Sequence, residues 1–145
     1  MFWVKPLPVG TPAPSFILPD EEGNVFVLNQ QRDRNVVLVF YPADDTPVCT
    51  AQLCEIRDRW EMLGSRNVTV VGINPGAAES HAKFRQKHGF PFRILVDHGQ
   101  RVAKIYKASA PLIVRRTVYL IDQSGVIRFS RRGKPPVEEV LSALG

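Results

Sequence analysis

Residues 36–41 read "VVLVFY", an unbroken apolar run rich in β-branched and aromatic residues, and it stops at Pro42. A strand with no polar side has to be covered on both faces. The chain then changes period. Leu53, Ile56, Trp60 and Leu63 recur at three and four, so a helix is expected from Pro47 to about Leu63. "NVTVVGIN" follows as a second buried strand, and "GAAESHAKFRQKHGF" as a helix stopping at Gly89.

The remaining elements are shorter. "PLPVGTPAPSFIL" is proline-rich and reads as extended chain. "LPDEEGNVFVL" places a Gly23-Asn24 turn between alternating residues and reads as a small hairpin. "FRILVD" is a short strand, and "GQRVAKIYKA" is most simply one short helix. Thr117 to Ile121 and Val126 to Phe129 flank Ser124-Gly125, which suggests a hairpin with a type I′ or II′ turn. "PPVEEVLSALG" is a terminal helix opened by proline and closed by glycine. The order predicts an α/β, thioredoxin-like fold: a central mixed β-sheet flanked by helices, with an N-terminal β-hairpin. At 145 residues, without repeats or a long linker, residues 1–145 are expected to form a single domain.

Composition narrows the function. The net charge is +5 and the pI about 9.6. Yet the basic residues are scattered beyond "VRRT" and "SRRGK", and aromatics do not interleave with them, so no nucleic-acid partner is expected. No run approaches the roughly 18 apolar residues of a membrane span, so no membrane partner is expected either. "MFWVKPLPVG" lacks the features of a secretion leader, which makes the cytoplasm the expected location. In a reducing compartment two cysteines are not a structural staple. They are too few for a four-ligand zinc site, and His81, His88 and His98 have no paired ligand spacing. The three histidines read as surface or helix-end residues, and Asp44 and Asp45 as turn and capping residues rather than metal ligands.

Both cysteines, Cys49 and Cys54, fall where the first buried strand gives way to the first long helix. Thr46 stands where an N-cap belongs and Pro47 at the first helical position, which puts Cys49 in the first turn. Free N–H groups and the positive end of the helix dipole stabilise an anion there. Asp44 and Asp45 oppose that effect, so a cation is needed nearby. Arg116, at the head of a central strand, is the leading candidate, ahead of Arg115 and Arg57. Residues five apart on an α-helix have Cα atoms about 8.6 Å apart. A disulfide needs them within about 7 Å. Either the cysteines are unrelated, with Cys54 a small core residue, or the first turns unwind when they join.

"VVLVFYPADDTPVCTAQLCEIRD" resembles the peroxiredoxins, most closely the bacterioferritin-comigratory-protein or PrxQ subfamily. The family pattern is Pro-x-x-x-Thr-x-x-Cys-Thr with a second cysteine five residues on. Pro42, Thr46, Cys49, Thr50 and Cys54 fill those places. The likeness extends through "VGTPAPSFILPDEEGNVFVL", "VVGINPGAAESHAKFRQKHGFPFRILVD" and "RRTVYLIDQSGVIRF". It implies a thiol peroxidase acting on hydrogen peroxide and organic hydroperoxides without metal, flavin or haem. Cys49 would be the peroxidatic cysteine, passing through a sulfenic acid, and Cys54 the resolving cysteine in an intramolecular disulfide. Thr46 would hold the peroxide, Arg116 would stabilise the developing negative charge, and Pro42 would shield the site. Thioredoxin or a glutaredoxin-like donor would reduce the disulfide. A second cysteine on the same helix removes any need for a partner chain, so a monomer is expected.

The sequence departs from the pattern at Val48, usually glycine, and Ala43, often lysine. Val48 stiffens the segment that must unwind. Arg116 is preferred to Arg115 because it stands six residues before Asp122. Trp60 and Met62 read as packing residues. Two rival functions predict different chemistry. A protein dithiol–disulfide oxidoreductase ordinarily has two residues between its cysteines, whereas here there are four. A basic binding module or holdase would consume no peroxide.

Overall fold

The computed structural model describes residues 4–145. The stretch "MFWVKPLPVG" therefore begins with three residues that lie outside the described ones. A two-stranded antiparallel hairpin, β1 (Ile17–Pro19) with β2 (Val25–Val27), precedes the main sheet. That sheet contains β3 (Asn35–Phe40), β4 (Val68–Asn74), β5 (Arg93–Val96), β6 (Thr117–Ile121) and β7 (Ile127–Arg132). Its spatial order is β5-β4-β3-β6-β7. β3, β4 and β5 run parallel, and β6 and β7 are antiparallel additions. The helices are α1 (Pro47–Asp58), α2 (Trp60–Ser65), α3 (Ala78–His88), α4 (Arg101–Ile105) and α5 (Val137–Ser142).

The doubly apolar strands have the consequence their sequence predicts. Alternate residues point to opposite faces. Val36, Leu38 and Phe40 of β3, Val71 and Ile73 of β4, and Tyr119 and Ile121 of β6 build one core. The hairpin residues Leu18 and Phe26 and α4 residues Val102 and Ala103 cover it. Val37 and Val39 of β3, Val68 and Val70 of β4, and Val118 and Leu120 of β6 build the other. Over that face lie Leu53 and Ile56 of α1, Leu63 of α2, Phe84 of α3, and Val137, Val140 and Leu141 of α5. The hairpin is tied to β5 and α3 through two buried carboxylates: Arg93 of β5 pairs with Asp20 at 2.9 Å and Arg85 of α3 with Glu21 at 2.6 Å.

Three local expectations are corrected. The helix expected from Pro47 to Leu63 is two helices, because Arg59 leaves the helical region at φ −103°, ψ 17°. No glycine or proline marks the bend. Arg59 pairs with Glu138 of α5 at 3.0 Å and Trp60 packs on Phe92, so distant packing selects it. The turn between β6 and β7 is neither type I′ nor II′, since Gly125 has a positive φ and Ser124 does not. Asp122 Oδ1 instead accepts from the N–H groups of Ser124 and Val126, an aspartate-nucleated loop. Met62 is exposed rather than packed.

Candidate active site

The register of the central strands brings the two halves of the site together. Phe40 of β3 faces Thr117 of β6, so Tyr41 and Arg116 adjoin just past the paired ends. From Tyr41 the chain turns through Pro42–Asp45 and enters α1 at Thr46, in extended backbone at φ −97°, ψ 152°. The Thr46 hydroxyl does not cap the helix. It donates to the Ala43 carbonyl at 3.2 Å, while the Thr46 carbonyl accepts from Thr50 N–H at 2.8 Å.

Cys49 lies in the first turn of α1, 1% exposed. Arg116 Nη2 donates to its sulfur at 3.3 Å and Arg116 Nη1 donates to Gln52 Oε1 at 2.8 Å. Gln52, one turn beyond Cys49 on the same helix face, therefore aims the guanidinium. Sequence reasoning passed over Gln52, although its i+3 spacing from Cys49 was a signal. Of the two rival arginines, Arg57 is engaged elsewhere: it donates to the His88 carbonyl and pairs with Asp58. Cys54 is half-buried on α1, and both cysteines are free thiols.

Asn74, at the end of β4, clamps the loop. Its buried amide donates to the carbonyls of Tyr41 and Pro42 at 2.8 and 2.9 Å, and its Oδ1 accepts from Gly76 N–H at 2.7 Å. A Cβ on Gly76 would sit 2.9 Å from that oxygen. Pro42 is thereby fixed beside the start of α1.

The two aspartates upstream of Cys49 are each held by side chains of α3. Asp45, exposed, pairs with Lys87 at 2.9 Å. Asp44 accepts from Tyr41 Oη at 2.5 Å and Ser80 Oγ at 2.7 Å, and pairs with His81 Nδ1 at 2.6 Å. Burial pushes the Asp44 carboxyl up, but hydrogen bonds from His81, Tyr41 and Ser80 outweigh it and hold it below its ordinary value. Burial and the adjacent Asp44 charge push the Tyr41 phenol well above its ordinary range. His81 corrects the surface reading of the histidines, for it is completely buried in α3. His88 closes α3 and His98 is exposed, as expected.

Residues 9–130 match the AhpC/TSA family. The chain is 38% identical over 127 residues to a bcp-type relative from Coxiella burnetii, covering 82% of this chain and 84% of that one. It is also 38% identical over 123 residues to the chloroplastic peroxiredoxin Q of Oryza sativa subsp. japonica. That match takes in 83% of this chain and 57% of the longer plant protein. Among solved structures, peroxidoxin BcpB of Mycobacterium tuberculosis superposes with a TM-score of 0.89 at 27% identity, covering 94% of this chain and 95% of that one.

Proposed function

From the premise that the chain belongs to the AhpC/TSA family, within its Bcp/PrxQ peroxiredoxins, we propose a two-cysteine peroxidase cycle run by Cys49 and Cys54. The enzyme is a thiol peroxidase with peroxide substrates and a thiol reductant. The observation that carries the residue assignment is the 3.3 Å contact of Arg116 Nη2 with the sulfur of Cys49 at the start of a helix.

In this cycle the Cys49 thiolate attacks the terminal peroxide oxygen. The O–O bond breaks, the departing oxygen takes a proton and leaves as water or an alcohol, and Cys49 becomes a sulfenic acid. Arg116, aimed by Gln52, stabilises negative charge as it spreads over the breaking bond. Thr46 holds the peroxide with its hydroxyl, turning it from the Ala43 carbonyl. Pro42, anchored through Asn74, keeps bulk water from the sulfur. The Cys54 thiolate then attacks the sulfenic sulfur, releasing water and forming the disulfide. The helical spacing of about 8.6 Å requires the first turns of α1 to open for this step. A dithiol donor of the thioredoxin or glutaredoxin type gives two electrons and two protons to restore both thiols.

The same proposal treats residues 1–145 as one catalytic domain acting as a cytoplasmic monomer, with no nucleic-acid partner. One continuous sheet covered on both faces supports the single domain. Placement of both cysteines on α1 supports the monomer. Among the described residues no helix is long and apolar enough to cross a membrane.

Rapid mixing of the reduced protein with hydrogen peroxide tests the assignment. Cys49→Ser should abolish fast peroxide loss. Cys54→Ser should keep the first turnover and accumulate sulfenic acid or intermolecular disulfide. Peroxide consumption by Cys49→Ser at the parental rate would sink the reading.

A further inference from the structure

A buried polar cluster beside the active loop takes no part in the peroxide chemistry. Its centre is His81, whose Nδ1 lies 2.6 Å from Asp44 Oδ2 and whose Nε2 lies 3.1 Å from the Asn74 carbonyl oxygen. A carboxylate oxygen and a carbonyl oxygen can only accept. Both ring nitrogens therefore face acceptors, an arrangement that only a ring with an N–H at each nitrogen satisfies in full. Asp44 is further held by Tyr41 and Ser80, and Asn74 grips the carbonyls of Tyr41 and Pro42. Every residue from Tyr41 to Asp44 except Ala43 is thus bound to β4 or α3.

The next residue is different. Asp45, itself exposed, has a positive φ of 56° and is held by the exposed Lys87 and the half-buried His88. Exposed pairs of this kind contribute little. A residue in a sparsely used conformation at the edge of a docked loop is where a change of backbone angle is absorbed most easily.

We propose that His81 and Asp44 form a positioning latch with two effects, an inference that rests on the cycle assigned to Cys49 and Cys54. The latch keeps residues 41–44 docked on α3 while α1 unwinds beyond Asp45. It also cancels the Asp44 charge, so that this carboxylate does not repel the Cys49 thiolate. His81 touches no reacting atom and acts through the loop.

The test combines a spectroscopic signature with a separation of two rates. Imidazole ¹⁵N NMR of the unaltered protein should find both ring nitrogens of His81 protonated, with the same signature in the reduced and disulfide forms. His81→Leu and Asp44→Asn should slow the peroxide step about tenfold or more, because Cys49 loses its fixed position. Formation of the Cys49–Cys54 bond should not slow in either variant. His81→Gln, which keeps an N–H toward Asp44, should recover part of the loss. A ring with one bare nitrogen, a signature that vanishes in the disulfide form, or equal slowing of both steps would overturn the latch. Should the variants fail to fold, the NMR of the unaltered protein decides alone. Absence of any Cys49–Cys54 bond after peroxide would instead strike the underlying cycle, whatever the state of the His81 ring.

Discussion

Phe40 and Thr117 stand opposite each other across β3 and β6, and that pairing sets the arginine just before one strand beside the cysteine that follows the other. The contact between them is a product of sheet register. A one-residue slip would turn alternate side chains to the wrong face and move Arg116 away from the sulfur.

The guanidinium acts as an aimed fork. Arg116→Ala should lower the rate of the peroxide step by about a hundredfold, the usual loss when one preorganised donor is removed. Arg116→Lys keeps the charge but gives up one arm of the contact, so it should recover only part of the rate. Gln52→Ala should cause a smaller loss, because it frees the guanidinium to rotate. Single-turnover kinetics on the three variants would check the order, and an unaffected Arg116→Ala would move the role to another residue.

Asn74 is the keystone of the loop. Asn74→Ala leaves two carbonyls and one N–H without their partner, at a cost of about 1–3 kcal/mol for each buried group that finds no substitute. Urea unfolding should register that loss. Gly76→Ala should reproduce part of it through the 2.9 Å approach to the Asn74 side chain.

Stability should fall in acid as two carboxylates are protonated. Burial raises Asp20, but the hydrogen bond from Arg93 and backbone N–H groups bring it below its ordinary value of 3.8. Asp44 is lowered as well, despite its burial. A carboxyl depressed in the folded state stabilises fully above the unfolded value and loses that contribution as pH falls through the folded one. Asp20→Asn should therefore flatten the decline in melting temperature below about pH 4. The alkaline limb has the opposite sign. Tyr41, Tyr106 and Tyr119 are raised, mainly by burial, so their contribution is complete below about pH 10 and declines above it. Circular dichroism melts across both limbs would reveal either trend or its absence.

Val48 is exposed at the second position of α1, where packing does not dictate its identity. Val48→Gly weakens the helix start by a few tenths of a kcal/mol. It should speed closure of the Cys49–Cys54 bond about twofold and leave the peroxide step unchanged. Quenched-flow trapping of free thiols would measure both, and a slower closure would refute unwinding as the limiting motion.

The parts of this architecture that could be read in the chain are those governed by local pattern. The apolar runs of β3 and β4, the left-handed stop at Gly89 and the hairpin around Gly23 each depend on residues close in sequence. The bend at Arg59 was hidden because it answers to Glu138 and Phe92, which lie far along the chain. His81 misled for the same reason. A histidine in a polar helical stretch looks exposed until Asp44 and Asn74 arrive from two other segments. At the candidate site, Cys49 and its helix position were legible from spacing. Arg116 was legible there as the leading cation, the register of β6 on β3 accounts for its contact with Cys49, and the role of Gln52 followed only from that contact.

The 67-residue separation of Cys49 and Arg116 also imposes an order on synthesis. A chain leaving the ribosome presents its thiol long before the cation that accompanies it has been translated, and β6 must add to β3 before the two meet. Until that strand docks, the nascent protein has a cysteine without its guanidinium, and the contact on which the proposed chemistry depends arrives only with a completed sheet.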